Sequence, residues 1–342
     1  MTVRVRSFAK INLGLRIGAV REDGFHELQT IYQTIALHDV IRVSVGHGNG
    51  IEIECDDPRV PKDESNTCFR MVEKAMRALR AKGRVVIEIE KRLPVQGGLG
   101  GASGNAVATL LGLERVLKKV LPAKEKLRIA AEVGSDLPLF LVGGTVLGVG
   151  RGEQVYPLED LPAIACVVVT PDVGVSTPKA FAAWDRLCGA GSRGAGTRGS
   201  AVPARNGSIS ESLKLTVTRP SGRMNELGCG LSAWLSEPYS GAPLRRGRAE
   251  NHLLALVRAG IENDFEQVVF PEYPELSDGK RALLRAGAKY ASLSGSGSTL
   301  YGLFVSPRAA EKATAQLRRQ GWKAQATATL PRRAYWKRVA AG

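Results

Sequence analysis

A glycine-rich run between residues 94 and 105, with the sequence PVQGGLGGASGN, is the segment whose residue types most clearly suit chemistry. Glycine lets the backbone approach an anion closely and adopt positive φ. A helical pattern follows directly, and the free N–H groups and dipole of a helix N-terminus favour bound anions. The run therefore predicts a phosphate cradle rather than a simple tight turn. It is not a Walker A loop, because no Gly-Lys-Ser/Thr follows, and it does not match GxGxxG.

Three further positions carry polar groups in apolar or turn-rich surroundings. Asp136, in GSDLP, lies between a helix end and an apolar strand, where it can act as a base, an ion-pair partner or a cap. Lys10, in FAKINL, either extends past its apolar neighbours to solvent or holds a phosphate or carboxylate. His26 follows a turn at Asp23-Gly24-Phe25. An exposed aromatic–histidine pair after a turn suggests a binding role, and a surface histidine at the end of a hairpin is the alternative. A second glycine–serine turn at 294–298 lies between two strand patterns.

Together these motifs resemble the GHMP kinases. The glycine-rich run is similar to the second motif of that superfamily, and residues 292–298 are similar to its glycine-rich third motif. Residues 9–13, 23–30 and 134–138 resemble the branch that phosphorylates a cytidylyl substrate, and residues 91–94 and 263–264 also match it. The resemblance spans roughly residues 1–188 and 251–330.

The resemblance implies ATP-dependent, Mg²⁺-assisted phosphorylation of the 2-hydroxyl of 4-diphosphocytidyl-2-C-methyl-D-erythritol, a step of the non-mevalonate isoprenoid route. It implies that Asp136 is the base or orienting group for the hydroxyl and Lys10 the cation beside it. It also implies that Phe25 and Phe181 stack on the cytosine, His26 reads its edge, and Asn12 and Thr177 face the substrate. The implied ATP-binding residues are Asn66, Lys91, Pro94, Val95, Gln96, Gly97, Gly98, Leu99, Gly100, Gly101, Ala102, Ser103, Gly104 and Asn105.

Four positions depart from the pattern of that family. Glycine is common where this chain has Gln96 and Ala102, serine where it has Gly104, and tyrosine where it has Phe25. Phenylalanine keeps a stacking face and loses a hydroxyl. For Gln96 we expect an ordinary negative φ and a side chain in solvent, which would leave the cradle unaffected.

The pattern of elements fits a two-domain α+β fold. Strand patterns occupy residues 3–17, 39–45, 51–55, 84–90, 145–149, 164–170, 290–293 and 301–305, and the apolar run 137–142 is also expected to be a strand. Helical patterns follow residue 66 and occupy 105–120, 123–133, 178–187, 277–286 and 307–320. By resemblance, residues 1–160 form a ribosomal-S5-like ATP-binding domain and 161–330 a ferredoxin-like substrate-side domain. A glycine- and serine-rich insertion at about 189–250 is expected to be mobile, with a basic tail at 331–342.

The net charge of +15 suggests an anionic partner such as a nucleic acid, a membrane surface or a polyphosphate metabolite. Residues 189–250 hold nine basic and four acidic side chains, and four basic residues follow Pro331 without an acid, so much of the excess is local. An S5-like RNA-binding protein therefore stays an alternative, although an aromatic-plus-basic RNA-reading motif is missing. Another GHMP kinase of the mevalonate-pathway type and a non-catalytic relative also stay open. We expect ATP and the cytidylyl compound as partners, and no nucleic acid.

Bulk properties limit the class of protein further. The 342 residues are 44% hydrophobic and 24% charged, which excludes wholesale disorder, collagen and coiled coil. No stretch of 18 uncharged apolar residues and no secretory signal is visible, so we expect no membrane partner. Five cysteines without a CxxC pair disfavour a disulfide framework or a zinc cluster, and they suggest a cytoplasmic protein.

Overall fold

The first of two sheets is built around a long antiparallel hairpin. The computed structural model describes residues 1–192 and 261–341. The first sheet contains the strands β1 (Thr2–Val20), β2 (His26–Gly46), β3 (Ile51–Cys55), β4 (Arg84–Glu90), β5 (Thr145–Val149) and β6 (Gln154–Pro157). β1 pairs with β2 along most of its length, while the other edge of β2 pairs first with β5 and then with β4. β3 adds a parallel edge strand beside β4, and β6 pairs with β5.

Helices cover one face of this sheet. They are α1 (Thr67–Ala78), α2 (Gly101–Leu117), α3 (Ala123–Val133) and α4 (Leu137–Val142). α1 begins where the Asn66 side chain accepts a hydrogen bond from Cys68 N, and it buries Cys68, Met71 and Ala75, one side of a helix. α2 begins at Gly101, inside the glycine-rich run, so the last residues of the run form the N-terminus of the helix.

The second sheet is antiparallel, with the order β10-β7-β9-β8. Its strands are β7 (Ala165–Val169), β8 (Tyr290–Leu293), β9 (Leu300–Phe304) and β10 (Ala324–Ala328), and the helices of this half are α5 (Thr177–Ser192), α6 (Glu266–Glu272), α7 (Pro274–Arg285) and α8 (Pro307–Arg319). Each sheet packs on its own helices, and a third buried cluster joins Ile11 and Ile35 of the first sheet to Val168 and Tyr301 of the second. This shared core fixes the two sheets relative to each other.

Several element predictions are confirmed, and others differ from the structure, including β6, α6 and β10, which no pattern indicated. The strands at 51–55, 84–90 and 145–149 and the helix at 123–133 have the expected bounds. β2 begins at His26 rather than at residue 39, and α2 begins at Gly101 rather than at residue 105. The run 137–142 is helix α4 and not a strand, because Pro138 in its first turn suits a helix start and a short apolar run does not distinguish the two states.

The segment expected to be a basic tail, 331–342, is for the most part a packed helix. Residues Arg332–Ala340 form a helix, α9, that packs on the core of the first sheet through buried Tyr335 and Val339. Tyr335 OH donates to Phe140 O at 2.7 Å, and Trp336 Nε1 donates to Val142 O at 3.0 Å. The sequence prediction rested on the four basic side chains, whereas the apolar and aromatic side chains beside them determine the packing.

The insertion expected at about 189–250, with short structure around residues 226–235, lies almost entirely outside the described residues, and so does the regular pattern expected after it at residues 252–259. The division of the chain near residue 160 stays a prediction. Among the described residues, no helix combines the length and the apolarity needed to cross a bilayer.

Candidate active site

Lys10 and Asp136 meet where the middle of β1 faces the start of α4. Lys10 Nζ lies 3.3 Å from Asp136 Oδ2. The Lys10 side chain is 4% exposed and that of Asp136 is 32% exposed, so the carboxylate is the member of the pair that a substrate can reach. Asn12, two residues along the same face of β1, accepts a hydrogen bond from Lys10 Nζ at 2.6 Å. The arrangement places a fixed, buried cation behind an accessible carboxylate.

Tyr32 of β2 engages the second oxygen of the same carboxylate. Its hydroxyl donates to Asp136 Oδ1 at 3.0 Å, and its ring lies 5.6 Å from Lys10 Nζ. Burial, and then the charge of Asp136, raises the pKa of the Tyr32 phenol well above its usual value, so this group stays a donor. A Cβ on Gly148 of β5 would lie 2.5 Å from the Tyr32 ring, so the glycine makes the space that the ring occupies. Both oxygens of Asp136 are therefore oriented by donors.

The two glycine-rich turns pack directly against each other. Thr299 N donates to Gly97 O at 3.1 Å, and the Ser294 hydroxyl donates to Gly98 O at 2.9 Å. A Cβ on Gly98 would collide with the carbonyl oxygen of Ser294, and its φ is +77°, so this position requires glycine. The turn at 294–298 and the residue after it thus hold the carbonyl groups of Gly97 and Gly98 in the cradle.

The cradle ends at the N-terminus of α2, next to Lys10. Gly100 has a φ of +68°, and no side chain caps the helix that begins at Gly101. The first N–H groups of α2 are therefore available to an anion. The backbone N–H of Lys10 donates to Leu99 O at 2.9 Å, and a Cβ on Gly100 would lie 3.0 Å from Lys10 Cγ. An anion on the cradle and the Lys10–Asp136 pair are consequently close neighbours.

A cavity of about 330 Å³ opens above the cradle. Asn66, Lys91 and every residue of the predicted ATP-binding run line it, apart from Gly104. Gly104 is buried under the loop, where a Cβ would lie 2.8 Å from Phe8 O. The glycine that replaces serine at this position therefore matches a close approach of α2 to β1.

A second cavity, of about 610 Å³, contains Lys10, Asp136 and all five residues predicted to bind the substrate, namely Asn12, Phe25, His26, Thr177 and Phe181. Gly98 and Gly100 line both cavities. The glycine-rich loop is thus a shared wall of the two cavities, and the Lys10–Asp136 pair lies on the side of the second cavity. The two cavities therefore meet at these two glycines.

The far end of the second cavity is aromatic. The His26 ring stacks on Phe181, with centroids 4.7 Å apart and an interplanar angle of 14°. His26 Nε2 lies 2.7 Å from Asp185 Oδ1, and Phe181 and Asp185 are one turn apart on the same face of α5. Phe25 is 53% exposed, and the Arg151 guanidinium lies 5.0 Å from its ring centroid. Exposed and half-buried aromatic faces with polar edges suit a flat heterocycle.

One expectation about the cradle is wrong in part. Gln96 has a φ of +58°, a conformation that residues other than glycine adopt at a cost, and not the ordinary negative φ. Its side chain is exposed, as expected. The loop therefore keeps the backbone that a glycine would favour and carries the strain of a side chain.

Sequence reasoning missed four residues that the structure places at the two cavities or directly behind them: Tyr32, Asp39, Arg151 and Asp185. Of these, Asp185 had a usable signal, because it lies one helical turn after Phe181. Tyr32 and Asp39 belong to β2 and act on residues distant in sequence, so no local pattern indicates them.

Comparison with known proteins adds an independent line of evidence. The model of the GHMP kinases N terminal domain matches residues 66–144, and that of the GHMP kinases C terminal domain matches residues 245–323. A 4-diphosphocytidyl-2-C-methyl-D-erythritol kinase of Solibacter usitatus is 36% identical over 307 residues, which are 88% of this chain and 80% of the relative. One from Geobacter sulfurreducens is 32% identical over 94% of this chain and 97% of its own.

Solved structures agree with this similarity. A crystal structure of 4-(cytidine 5'-diphospho)-2C-methyl-D-erythritol kinase has a TM-score of 0.68 at 27% identity, covering 96% of this chain and 99% of its own. A mevalonate kinase of L. major has a TM-score of 0.66 at 15% identity, covering 97% of each chain, which supports the shared fold alone.

Proposed function

The chain belongs to the GHMP kinase family, and from this premise we propose that it transfers the γ-phosphoryl group of ATP to the 2-hydroxyl of 4-diphosphocytidyl-2-C-methyl-D-erythritol. The observation that carries the proposal is the pair of cavities that share Gly98 and Gly100. One cavity has the backbone of an anion cradle, and the other holds an accessible carboxylate together with stacking aromatic rings. A phosphoryl donor and a heterocycle-bearing acceptor are the ligands that this division of chemistry suits.

In the proposed reaction, the cradle and the N-terminus of α2 hold the polyphosphate through backbone N–H groups. The acceptor hydroxyl lies at Asp136, which orients it and accepts its proton as the new O–P bond forms and the bond to the β-phosphate breaks. Lys10 stabilises the charge on the transferring group from behind the carboxylate. Because phosphoryl transfer passes through a loose transition state, orientation of the hydroxyl is the larger part of the task of Asp136.

The substrate-binding roles follow from the second cavity. We assign cytosine stacking to Phe25 and Phe181, edge recognition to His26, and contacts with the rest of the substrate to Asn12 and Thr177. The stacked His26–Phe181 pair leaves the exposed ring of Phe25 as the more accessible platform. Arg151, over that ring, adds positive charge near a substrate that carries a diphosphate.

A Mg²⁺ ion fits this site if the nucleotide phosphates, rather than protein side chains, supply most of its ligands. Among the described residues, no group of three or more metal-ligating acidic, histidine or cysteine side chains converges, and no carboxylate lines the cradle cavity. Mg²⁺ commonly binds through substrate phosphates and water with few protein ligands. Ser103, at the first turn of α2, would hold it with its hydroxyl, and the ion would neutralise phosphate charge.

The cytoplasmic location stays a prediction.

The test is ADP release by the purified chain with ATP alone and with each of three acceptors: the cytidylyl compound, mevalonate and homoserine. We expect turnover with the cytidylyl compound only, and a new phosphate monoester at its 2-position by ³¹P NMR. The two other acceptors are chosen because kinases named for them share the fold. Turnover with either of them and none with the cytidylyl compound would refute the proposal and keep the kinase fold assignment.

A further inference from the structure

Asp39 of β2 is a carboxylate that solvent does not reach, and four donors converge on it. Its side chain is 0% exposed. Oδ1 accepts from Arg92 N and Leu93 N, both at 2.7 Å, and Oδ2 accepts from Lys91 Nζ at 2.6 Å and from Asn105 Nδ2 at 3.0 Å. A buried carboxylate is costly unless its charge is paired and its oxygens are hydrogen-bonded, and here both conditions are met.

The four donors come from the two ends of the glycine-rich loop. Residues 91–93 lead into the loop, and Asn105 is its last residue and lies in the first turns of α2. Asp39 therefore joins the entry and the exit of a segment of about a dozen residues at one point. The loop itself contains glycines with positive φ and has few side chains with which to hold its own shape.

Asp39 also determines where the Lys91 ammonium lies. Lys91 lines the cradle cavity, its side chain is 10% exposed, and a Cβ on Gly101 would lie 3.5 Å from its Nζ. The ammonium is thus held by Asp39 over the first residue of α2. A carboxylate accepts hydrogen bonds only, so it also obliges Asn105 to turn its amide nitrogen toward β2.

We propose that Asp39 is a positioning residue for the nucleotide: it holds the glycine-rich loop and the Lys91 ammonium in the binding-competent arrangement in the absence of ligand. This inference rests on nucleotide binding at the cradle in the proposed function. Fixing the loop in advance means that ATP binding does not have to supply the entropy cost of ordering it.

The decisive variant is Asp39→Asn, which has nearly the same shape. Its single acceptor oxygen can still serve the two backbone N–H groups, but Lys91 and Asn105 lose an acceptor. We expect the KM for ATP to rise about tenfold or more, which corresponds to losing one hydrogen bond with a charged partner. The KM for the cytidylyl acceptor, measured at saturating ATP, should change less than about threefold, because Asp39 does not line that cavity.

Glu114→Gln is the matched control. Glu114 is another buried carboxylate of the same half, and it accepts from Leu121 N at 2.7 Å and Lys126 Nζ at 2.9 Å, at the end of α2 remote from the cradle. It should lower the melting temperature and leave the KM for ATP unchanged. If Asp39→Asn behaves in the same way, or raises both KM values equally, its role is structural and the proposal is wrong.

Two further measurements separate the possible outcomes. If Asp39 acts through Lys91, then Asp39→Asn should raise the KM for ATP less in a Lys91→Met background than in the natural chain, whereas simple additivity would contradict the proposal. Hydrogen exchange on the natural chain tests it even if Asp39→Asn does not fold: the amides of residues 92 and 93 should be protected without ATP. Protection that develops only with ATP would overturn the proposal. A chain that binds no ATP at all would instead refute the proposed function.

Discussion

Replacing Asp136 with asparagine tests the centre of the proposed reaction, because the change removes the charge and the basicity of the side chain and keeps its size. The asparagine oxygen can still accept the hydrogen bond from Tyr32, which lies 3.0 Å from Oδ1 in the natural chain. The amide nitrogen would then face Lys10 Nζ, a donor against a donor, at the position where a carboxylate oxygen now lies 3.3 Å away. The acceptor hydroxyl would lose both its proton acceptor and its best orienting partner.

We expect turnover to fall by at least ~10²-fold, the lower end for loss of a general base. This corresponds to about 2.7 kcal/mol of transition-state stabilisation. A smaller change, Tyr32→Phe, keeps the carboxylate and removes one of its two orienting donors, and it should cost about tenfold, or ~1.4 kcal/mol. The affinity for ATP should stay unchanged in both variants, because neither residue lines the cradle cavity.

The assay is steady-state ADP release at saturating concentrations of both substrates, with ATP binding measured separately by calorimetry. Asp160→Asn is the control: Asp160 accepts from Arg332 N at 2.7 Å and from Thr145 N at 3.2 Å, and it lines neither cavity, so turnover should be preserved. An Asp136→Asn enzyme within threefold of the natural turnover would refute the role of this residue.

Three other predictions address the substrate, the cradle and the core. Phe25→Ala should raise the KM for the cytidylyl acceptor and leave the KM for ATP unchanged, because base stacking on an aromatic ring contributes about 1–3 kcal/mol; an equal rise in both values would mean that the region had unfolded. Gln96→Gly should raise the free energy of unfolding in denaturant by up to ~1 kcal/mol, since relief of a positive φ exceeds the added flexibility of glycine. Lys118→Gly is the control: Lys118 has a φ of +52° and lines neither cavity, so this change should raise the free energy of unfolding by a similar amount. If Gln96→Gly but not Lys118→Gly lowers the ATP affinity tenfold, the Gln96 side-chain amide binds phosphate. Burial raises the pKa of the phenols of Tyr32, Tyr290, Tyr301 and Tyr335, so these groups ionise less readily in the folded state than in the unfolded one. The free energy of unfolding should therefore be unaffected by them below pH 10 and should fall as the pH rises above 10. Denaturant midpoints that are equal at pH 8 and pH 11 would contradict this prediction.

Local patterns predicted the elements that carry their own signal. The glycine-rich run, the cap at Asn66 and the alternation in β3 and β4 each result from forces that act within a few residues. The residues assigned to the site by resemblance also belong to motifs that are each contiguous in the sequence. The structure brings Lys10 and Asp136 together although 126 positions separate them, a proximity that the sequence motifs implied only through the family.

Features that depend on distant partners were beyond such reasoning. An aspartate in an alternating strand, such as Asp39, has the same local pattern whether its side chain faces water or four donors from 52 to 66 positions away. A short apolar run such as 137–142 is typical of both a strand and a helix, so its pattern of apolar residues alone does not determine the state. The positive φ of Gln96 results from the packing of its loop and not from its own residue type.

The position of α9 has a consequence for how the molecule matures. Its residues Tyr335 and Val339 belong to the same core as β1 and α2, and its partner Phe140 lies 195 positions earlier in the chain. Without α9, the core beside α4, the helix that follows Asp136, would lack the cover of Tyr335 and Val339. Early folding of an N-terminal unit during synthesis is the common order for multidomain chains. We therefore expect that unit to stay incomplete until the second half has been translated, so that Asp136, at the start of α4, acquires the support of α9 only then.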